Sequence, residues 1–523
     1  MRFIAFLLLV TIKATAQPPN IIYIMSDDHD ADAISAYNKN FITTSNIDRI
    51  AREGMIFKNA FVGNSVCSPA RATLLTGQHS HKNGIKDNIT PFDTSKITLP
   101  KLLKQNGYQT CIIGKWHLHS KPTGFDYFKV LPGQGVYNNP PMINVSGDTI
   151  RQKGYVTDII TDTAINWINN RDKKKPFFLM LHNKAPHSQF LPKLKYLKIY
   201  SNKIFEEPTT LYADMNQHGH AWQSLRMYIL QDMRLCIDLK IDPVYLENIP
   251  ELKPDSNTIR EYNSFFANIP KEEQAEMAAI FAERGKIVQQ IYKDKKQLLK
   301  YKYQWYMQDY MACIASIDEN IGKLLTYLDS NNLTKNTLLI YTSDQGFYLG
   351  ENGWFDKRFM YDVSMNTPLL IRWPGKIKPN SVSNALVQNI DNAPTMLNAA
   401  GISIPDWMQG LSLKPIITHK QKELPRKNLY YHYYEYPIDS SVVTSKGVIK
   451  GVVPHLGIRG YRYKLIYFYT INEWELYDLK IDPAEQTNLI QNVKYNKIFL
   501  EMKKKLLNLR MKYDDHETAG ELN

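Results

Sequence analysis

Four apolar, β-branched-rich runs mark the chain, and each gives way at once to polar residues. Asn20-Ile21-Ile22-Tyr23-Ile24-Met25-Ser26 runs into Asp27-Asp28-His29, and Gln109-Thr110-Cys111-Ile112-Ile113-Gly114 into Lys115-Trp116-His117. Pro176-Phe177-Phe178-Leu179-Met180-Leu181 precedes His182 and Ala185-Pro186-His187, and Thr337-Leu338-Leu339-Ile340-Tyr341-Thr342-Ser343 runs into Asp344-Gln345-Gly346. Apolar runs that do not alternate fit strands of a parallel sheet buried on both faces. Helical patterns separate them, over Asn46 to Glu53, Leu99 to Asn106, Thr157 to Asn170 and Tyr303 to Ser330. The alternation predicts an α/β fold, a large mixed but mostly parallel sheet sandwiched by helices. Ligands of such folds bind beyond the carboxyl ends of the strands. All four polar clusters fall at that edge.

The rhythm breaks between about residues 190 and 300, which are rich in Lys, Tyr and Gln and read as a helical insertion beside the site. It breaks again near Pro425. Beyond it, aromatic, alternating runs over Leu429 to Tyr436, Gly457 to Tyr469 and Glu473 to Asp478 predict a small antiparallel sheet, closed by a helix over Asn496 to Lys512. The expected organisation is a signal peptide at 1–16, a main domain at 17–425 and a C-terminal α+β subdomain at 426–523. Arg2, the apolar stretch Phe3 to Ile12 and Ala14-Thr15-Ala16 give the leader its charged start, core and cleavage site. No later segment approaches the apolar length of a membrane span, so the expectation is an exported protein, periplasmic or secreted, without an anchor.

Composition and charge narrow the classes. The chain has 523 residues and a formal net charge of +13, which suits nucleic acid, an anionic membrane or an acidic polysaccharide. Lys and Arg are dispersed and no zinc-finger, basic-zipper or RNA-recognition pattern occurs, which argues against nucleic acid. Cys67, Cys111, Cys236 and Cys313 form no C-x-x-C pair, so a structural zinc site is not expected, and spacing alone pairs none of them.

The segment Val66-Cys67-Ser68-Pro69-Ala70-Arg71-Ala72-Thr73-Leu74-Leu75-Thr76-Gly77 places a cysteine at the mouth of a helix suited to an anion. Ser68 is the expected N-cap, Pro69 suits the first helical position, and Gly77 is the expected stop. Arg71, one turn in, adds a fork that matches sulfate or phosphate oxygens. Asp27, Asp28, Asp344 and Gln345 offer hard oxygen ligands from two strand ends, suiting Ca²⁺ or Mg²⁺ rather than zinc. Either pair alone reads equally as turn residues; two pairs at one sheet edge read as a site. Lys115, His117, His187 and Lys357 add cations for an oxyanion and imidazoles for proton transfer. Trp116 and Trp354 read as packing, and His29, His119 and His182 as structural or substrate-contacting groups.

Cys67-x-Pro69-x-Arg71 followed by Leu74-Leu75-Thr76-Gly77 resembles the signature of the formylglycine-dependent (type I) sulfatases of the alkaline phosphatase superfamily, bacterial polysaccharide sulfatases among them. Asp27-Asp28, Gly114-Lys115-Trp116-His117, Ala185-Pro186-His187 and Ser343-Asp344-Gln345-Gly346 through Lys357 follow in the family's order. The likeness runs from about Asn20 to Gly375, and Trp474-Glu475-Leu476-Tyr477-Asp478-Leu479 with Asp482-Pro483 is also sulfatase-like. The resemblance implies an alkaline-phosphatase-like fold. It also implies a Cys67 oxidised to formylglycine by a formylglycine-generating or sulfatase-maturing enzyme, with the hydrate as nucleophile. Asp27, Asp28, Asp344 and Gln345 would hold Ca²⁺ (or Mg²⁺), with the modified Cys67 completing the shell. Arg71 would steady the hydrate and His117 would act on its second hydroxyl, driving sulfate release. Lys115, His187 and Lys357 would grip the sulfate, His187 or Lys357 helping the alcohol depart. Where the family often has Asn or His, this chain has Gln345, which keeps an amide oxygen.

Charge, export and the aromatic, Lys-rich insertion point to a sulfated carbohydrate, a glycosaminoglycan or an algal polysaccharide such as ulvan. The alternatives are an arylsulfatase of small substrates, a phosphomonoester or phosphonate hydrolase of the same superfamily, and a non-catalytic polysaccharide-binding relative. The phosphate-type enzymes usually carry Asp/His clusters around two zinc ions, unlike this oxygen-only set. A binding protein would have no use for Lys115, His117 and Lys357 together.

Overall fold

The structure, a computed structural model, describes residues 18–213, 219–223, 225–434, 451–516 and 522. The expected leader at 1–16 and the last two residues of the run Leu429 to Tyr436 lie outside the described residues. A ten-stranded sheet forms the frame. Its centre is five parallel strands, in the order Thr337–Ser343, Asn20–Asp27, Phe177–Pro186, Gln109–Lys115 and Tyr127–Leu131. Antiparallel strands flank them: Leu369–Arg372 on one side, Pro141–Asn144 and Thr149–Arg151 on the other. The sheet is thus mixed and mostly parallel.

The apolar runs build two cores at once. Ile22 and Ile24 face one core with Leu179, Leu181, Ile113 and Leu339. Ile21, Tyr23 and Met25 face the other with Phe178, Met180, Ile112 and Ile340. A strand buried on both faces has no polar side to spare, which is why its sequence does not alternate. Helices Val156–Asn170 and Lys295–Ser330 cover the first face, and Cys67–Thr76, Leu99–Gln105 and Asn392–Ala399 the second.

The long helix begins at Lys295, eight residues earlier than the pattern suggests, because Asp294 caps it by accepting from the amides of Lys296 and Gln297 at 3.0 and 3.1 Å. The insertion is helical in its second half, with Ser256–Ala267 and Lys271–Ile291. Its first half is largely turns and loop. Four antiparallel strands, Asn428–Tyr433, His455–Gly460, Tyr463–Phe468 and Glu473–Asp478, form the C-terminal sheet, with helix Asn496–Tyr513 packed on one face. Its other face meets an aromatic cluster around Trp222, Trp354 and Phe359. No helix among the described residues is long and apolar enough to cross a membrane.

Candidate active site

The Asp27, Lys115, Pro186 and Ser343 strands end side by side, so their polar successors meet. Asp27, Asp28 and Asp344 offer carboxylate oxygens within 4.8 Å of one another, all buried. Lys115 pairs with Asp27. Lys357 Nζ lies 2.6 Å from Asp28 Oδ2, and His187 Nε2 lies 3.6 Å from the same oxygen. The Asp28 amide donates to Asp344 Oδ1 at 3.1 Å, and Gln345 Nε2 donates to Asp28 Oδ1.

Cys67 opens the helix Cys67–Thr76, whose residues are all buried. Its Sγ sits 3.6 Å from Asp27 Oδ1 and 3.4 Å from Gln345 Nε2. The helix starts two residues sooner than the sequence suggests, with Val66 in the N-cap position, so Ser68 is not the cap. The Ser68 amide is satisfied instead by Asn88 Oδ1 at 3.0 Å, and its hydroxyl donates to the His117 carbonyl at 2.6 Å. Gly77 does end the helix, in the left-handed conformation (φ 64°) that glycine adopts freely. Arg71 reaches back under the site. Its Nη2 contacts Asp344 Oδ2 at 2.8 Å and Asp27 Oδ1 at 3.4 Å, while Nη1 donates to the Lys115 carbonyl at 2.7 Å.

Asp28 and His117 are both held at positive φ, 66° and 53°, a conformation non-glycine residues rarely adopt. The carbonyl of each is clamped by a hydroxyl at 2.6 Å, from Tyr310 and Ser68 respectively. Strain retained in this way belongs to sites the surroundings over-determine. Tyr310 and Asn88 escaped the sequence reading, and Ser68 was read only as a helix cap, because a hydroxyl or amide serving a distant backbone group carries no motif. His29 hydrogen-bonds Tyr341 Oη at 2.7 Å and His182 lies buried beside Arg71, both structural. His119 bonds the Asn88 carbonyl at 2.6 Å. Trp354 is wholly buried among aromatic rings, as packing requires.

The electrostatics are those of a crowded charge cluster. Burial works to raise Asp27, but Lys115, His187 and Arg71 together hold it well below the usual carboxylate range. Burial raises Asp28 against the pull of Lys357, and burial with the neighbouring Asp27 charge pushes Asp344 up to about 7. Burial pushes the Cys67 thiol up to about 12, and burial with the Lys115 charge brings His117 down to about 2. His117 is therefore a neutral imidazole and Cys67 a protonated thiol at neutral pH. The donor set fits a hard divalent cation. Three buried carboxylates converge, and Gln345 Oε1 is buried without a hydrogen-bond partner, which is the kind of group a metal satisfies.

A family model described as Sulfatase matches residues 19–402, and one described as N-sulphoglucosamine sulphohydrolase, C-terminal, matches residues 350–512. The chain belongs to the sulfatase family and is a sulfuric ester hydrolase. It is 44% identical over 511 residues to an N-acetylglucosamine-6-O-sulfatase of Bacteroides thetaiotaomicron, covering 97% of this chain and 88% of that protein. A solved structure of a protein in complex with its substrate, D-glucosamine-2-N,6-O-disulfate, shares 43% identity and a TM-score of 0.89, covering 97% of this chain and 100% of that one. An ulvan-active sulfatase of Formosa agariphila is 25% identical, over 95% of this chain and 82% of that protein.

Proposed function

We propose that this sulfatase removes the 6-O-sulfate of glucosamine units in glycosaminoglycan-type saccharides, using a formylglycine made from Cys67 and a Ca²⁺ held by Asp27, Asp28, Asp344 and Gln345. The observation that carries the chemistry is the setting of Cys67. Its sulfur is buried, 3.6 Å from a carboxylate, and pushed to about 12, so it is poorly suited to act as a thiolate. An aldehyde hydrate supplies what the thiol lacks: one hydroxyl to attack sulfur and a second whose deprotonation expels the sulfate carried on the first and restores the aldehyde.

The chain's residues fit the roles around such a group. Arg71, locked by Asp344, Asp27 and the Lys115 carbonyl, supplies a fixed positive charge beneath position 67. His117, whose Nδ1 lies 3.5 Å from the Ser68 hydroxyl beside position 67 and whose carbonyl Ser68 clamps, would take the proton of the hydrate's second hydroxyl. Lys115, Lys357 and His187 converge on the same carboxylates. A divalent cation would neutralise those carboxylates, polarise the sulfate and lower the pKa of the attacking hydroxyl. Lys115 and Lys357, released from ion pairing, would then face the sulfate oxygens, and His187 or Lys357 would protonate the leaving alcohol.

The substrate reading rests on the 44% identity to an N-acetylglucosamine-6-O-sulfatase across nearly the whole chain. Export to the periplasm or beyond, and a maturing enzyme that oxidises Cys67, complete the proposal. The test is sulfate release, followed by ion chromatography, from glucosamine 6-sulfate, galactosamine 4-sulfate and 4-nitrophenyl sulfate. The expected outcome is a preference of roughly 100-fold or more for the 6-sulfated glucosamine. Turnover of the aryl sulfate with none of either amino sugar would overturn the substrate reading.

A further inference from the structure

The insertion reaches the active site through one buried ion cluster that the chemistry above leaves unused. Lys240, fully buried, spends its ammonium on three acceptors at 2.8 Å each: Asp309 Oδ2, the Phe190 carbonyl and the Asp238 carbonyl. Arg284, on the insertion helix Lys271–Ile291, forks onto Asp309 at 2.7 and 2.8 Å and also donates to the Leu239 carbonyl at 3.0 Å. Asp309 lies on the long helix Lys295–Ser330, next to Tyr310. Tyr310 Oη donates to the Asp28 carbonyl at 2.6 Å and accepts from the Asp30 amide at 2.9 Å. Phe190 follows His187 by three residues, and its ring packs 5.9 Å from that of Tyr310.

We propose that Lys240 and Tyr310 are positioning residues, through which the insertion sets the spacing between His187 and Asp28. Lys240 grips both sides of that spacing: the turn that carries His187, through Phe190, and the helix that clamps Asp28, through Asp309. Asp28 occupies a left-handed conformation, so its carboxylate direction depends on what holds its backbone. A charge fully paired in the interior is rigid because each bond lost leaves a buried group unsatisfied. The inference rests on the proposed calcium-assisted reaction, in which Asp28 is a metal ligand and His187 a substrate contact.

Two variants of the full-length, formylglycine-bearing enzyme test it. Tyr310→Phe removes one oxygen from a site that otherwise keeps its shape. Lys240→Met removes a cation, but Asp309 stays paired with Arg284. Both are assayed on glucosamine 6-sulfate, and both are titrated with calcium chloride alone while thermal unfolding is followed. The expected result is a kcat about 10- to 100-fold lower with KM unchanged, and a calcium midpoint raised about 10-fold. Variants with wild-type kcat and a wild-type calcium midpoint, altered only in melting temperature, would overturn the inference and leave a purely structural role. A wild type that neither releases sulfate nor responds to calcium would overturn the functional reading, and this inference with it.

Discussion

At the scale of single residues, the site is a balance of charges in which no group stands alone. Three carboxylates, Asp27, Asp28 and Asp344, face Lys115, Lys357 and Arg71, all buried. Arg71 makes the balance directional. One terminal nitrogen holds the Lys115 carbonyl while the other spans Asp344 and Asp27. A lysine at position 71 keeps the charge but cannot make both sets of bonds. Arg71→Lys is therefore expected to lower kcat by about 10²- to 10³-fold, the loss seen when a fixed donor to a developing charge is removed, and to lower the melting temperature as well, because a buried acceptor is left unpaired. Steady-state kinetics beside a thermal melt check this. The buried residues that meet here were legible in the sequence as candidates: Asp27, Asp28, Lys115, His187, Asp344 and Gln345 because each lies just beyond an apolar run, Cys67 and Lys357 only through motifs. The roles of Ser68, Asn88 and Tyr310 were not, because their task is to hold backbone carbonyls and amides that only the folded chain brings within reach.

At the scale of elements, the sequence revealed existence better than extent. All four apolar runs form central strands, and the fifth, Tyr127–Leu131, lies outside them. The run ending at Leu181 continues as strand to Pro186, because its polar continuation pairs with the Asp27 strand through an irregular register between Met25 and Asp27. Polar residues there point into a site, so polarity does not signal the strand's end. Gly114 shows a constraint of the same origin. It sits at φ 104°, and a Cβ there would lie 1.9 Å from the His182 carbonyl oxygen, so only glycine lets the Lys115 strand approach the His182 strand this closely. The helix Cys67–Thr76 began sooner than the Ser68-Pro69 pair indicated. Its N-terminus is capped from outside by Asn88, twenty residues along the chain, and local capping preferences do not see such a partner.

At the scale of the molecule, two cores on one sheet and a C-terminal sheet joined to them by aromatic packing make a frame in which many ionisable groups are wholly enclosed. His29, His79 and His455, all outside the proposed metal ligand set, are each brought down by burial to about 3. Such histidines are neutral when folded and take up a proton on unfolding below their ordinary pKa near 6.5. Folded pKa values below the unfolded ones mean that stability is fully present above pH 6.5 and is lost as pH falls toward 3. Each group contributes at most about 1.4 kcal/mol per pH unit in that window. Buried carboxylates raised to about 7, Glu351 and Glu475 among them, act in the opposite sense, so the test is differential: His455→Gln is expected to lessen the loss of melting temperature below pH 6.5 relative to the wild type, which calorimetry across pH measures directly. The fold class and the C-terminal sheet could be read from hydrophobic pattern. The internal layout of the insertion could not, because its first half is held by contacts such as Lys240 with Asp309 rather than by periodic apolar faces.

The central claim is that Cys67 does not act as a thiol. Mass spectrometry of the peptide carrying residue 67, taken from enzyme active on a sulfated sugar, addresses it most directly. The account predicts an aldehyde or its hydrate at that position, in proportion to specific activity; fully active enzyme carrying an unmodified cysteine would contradict it.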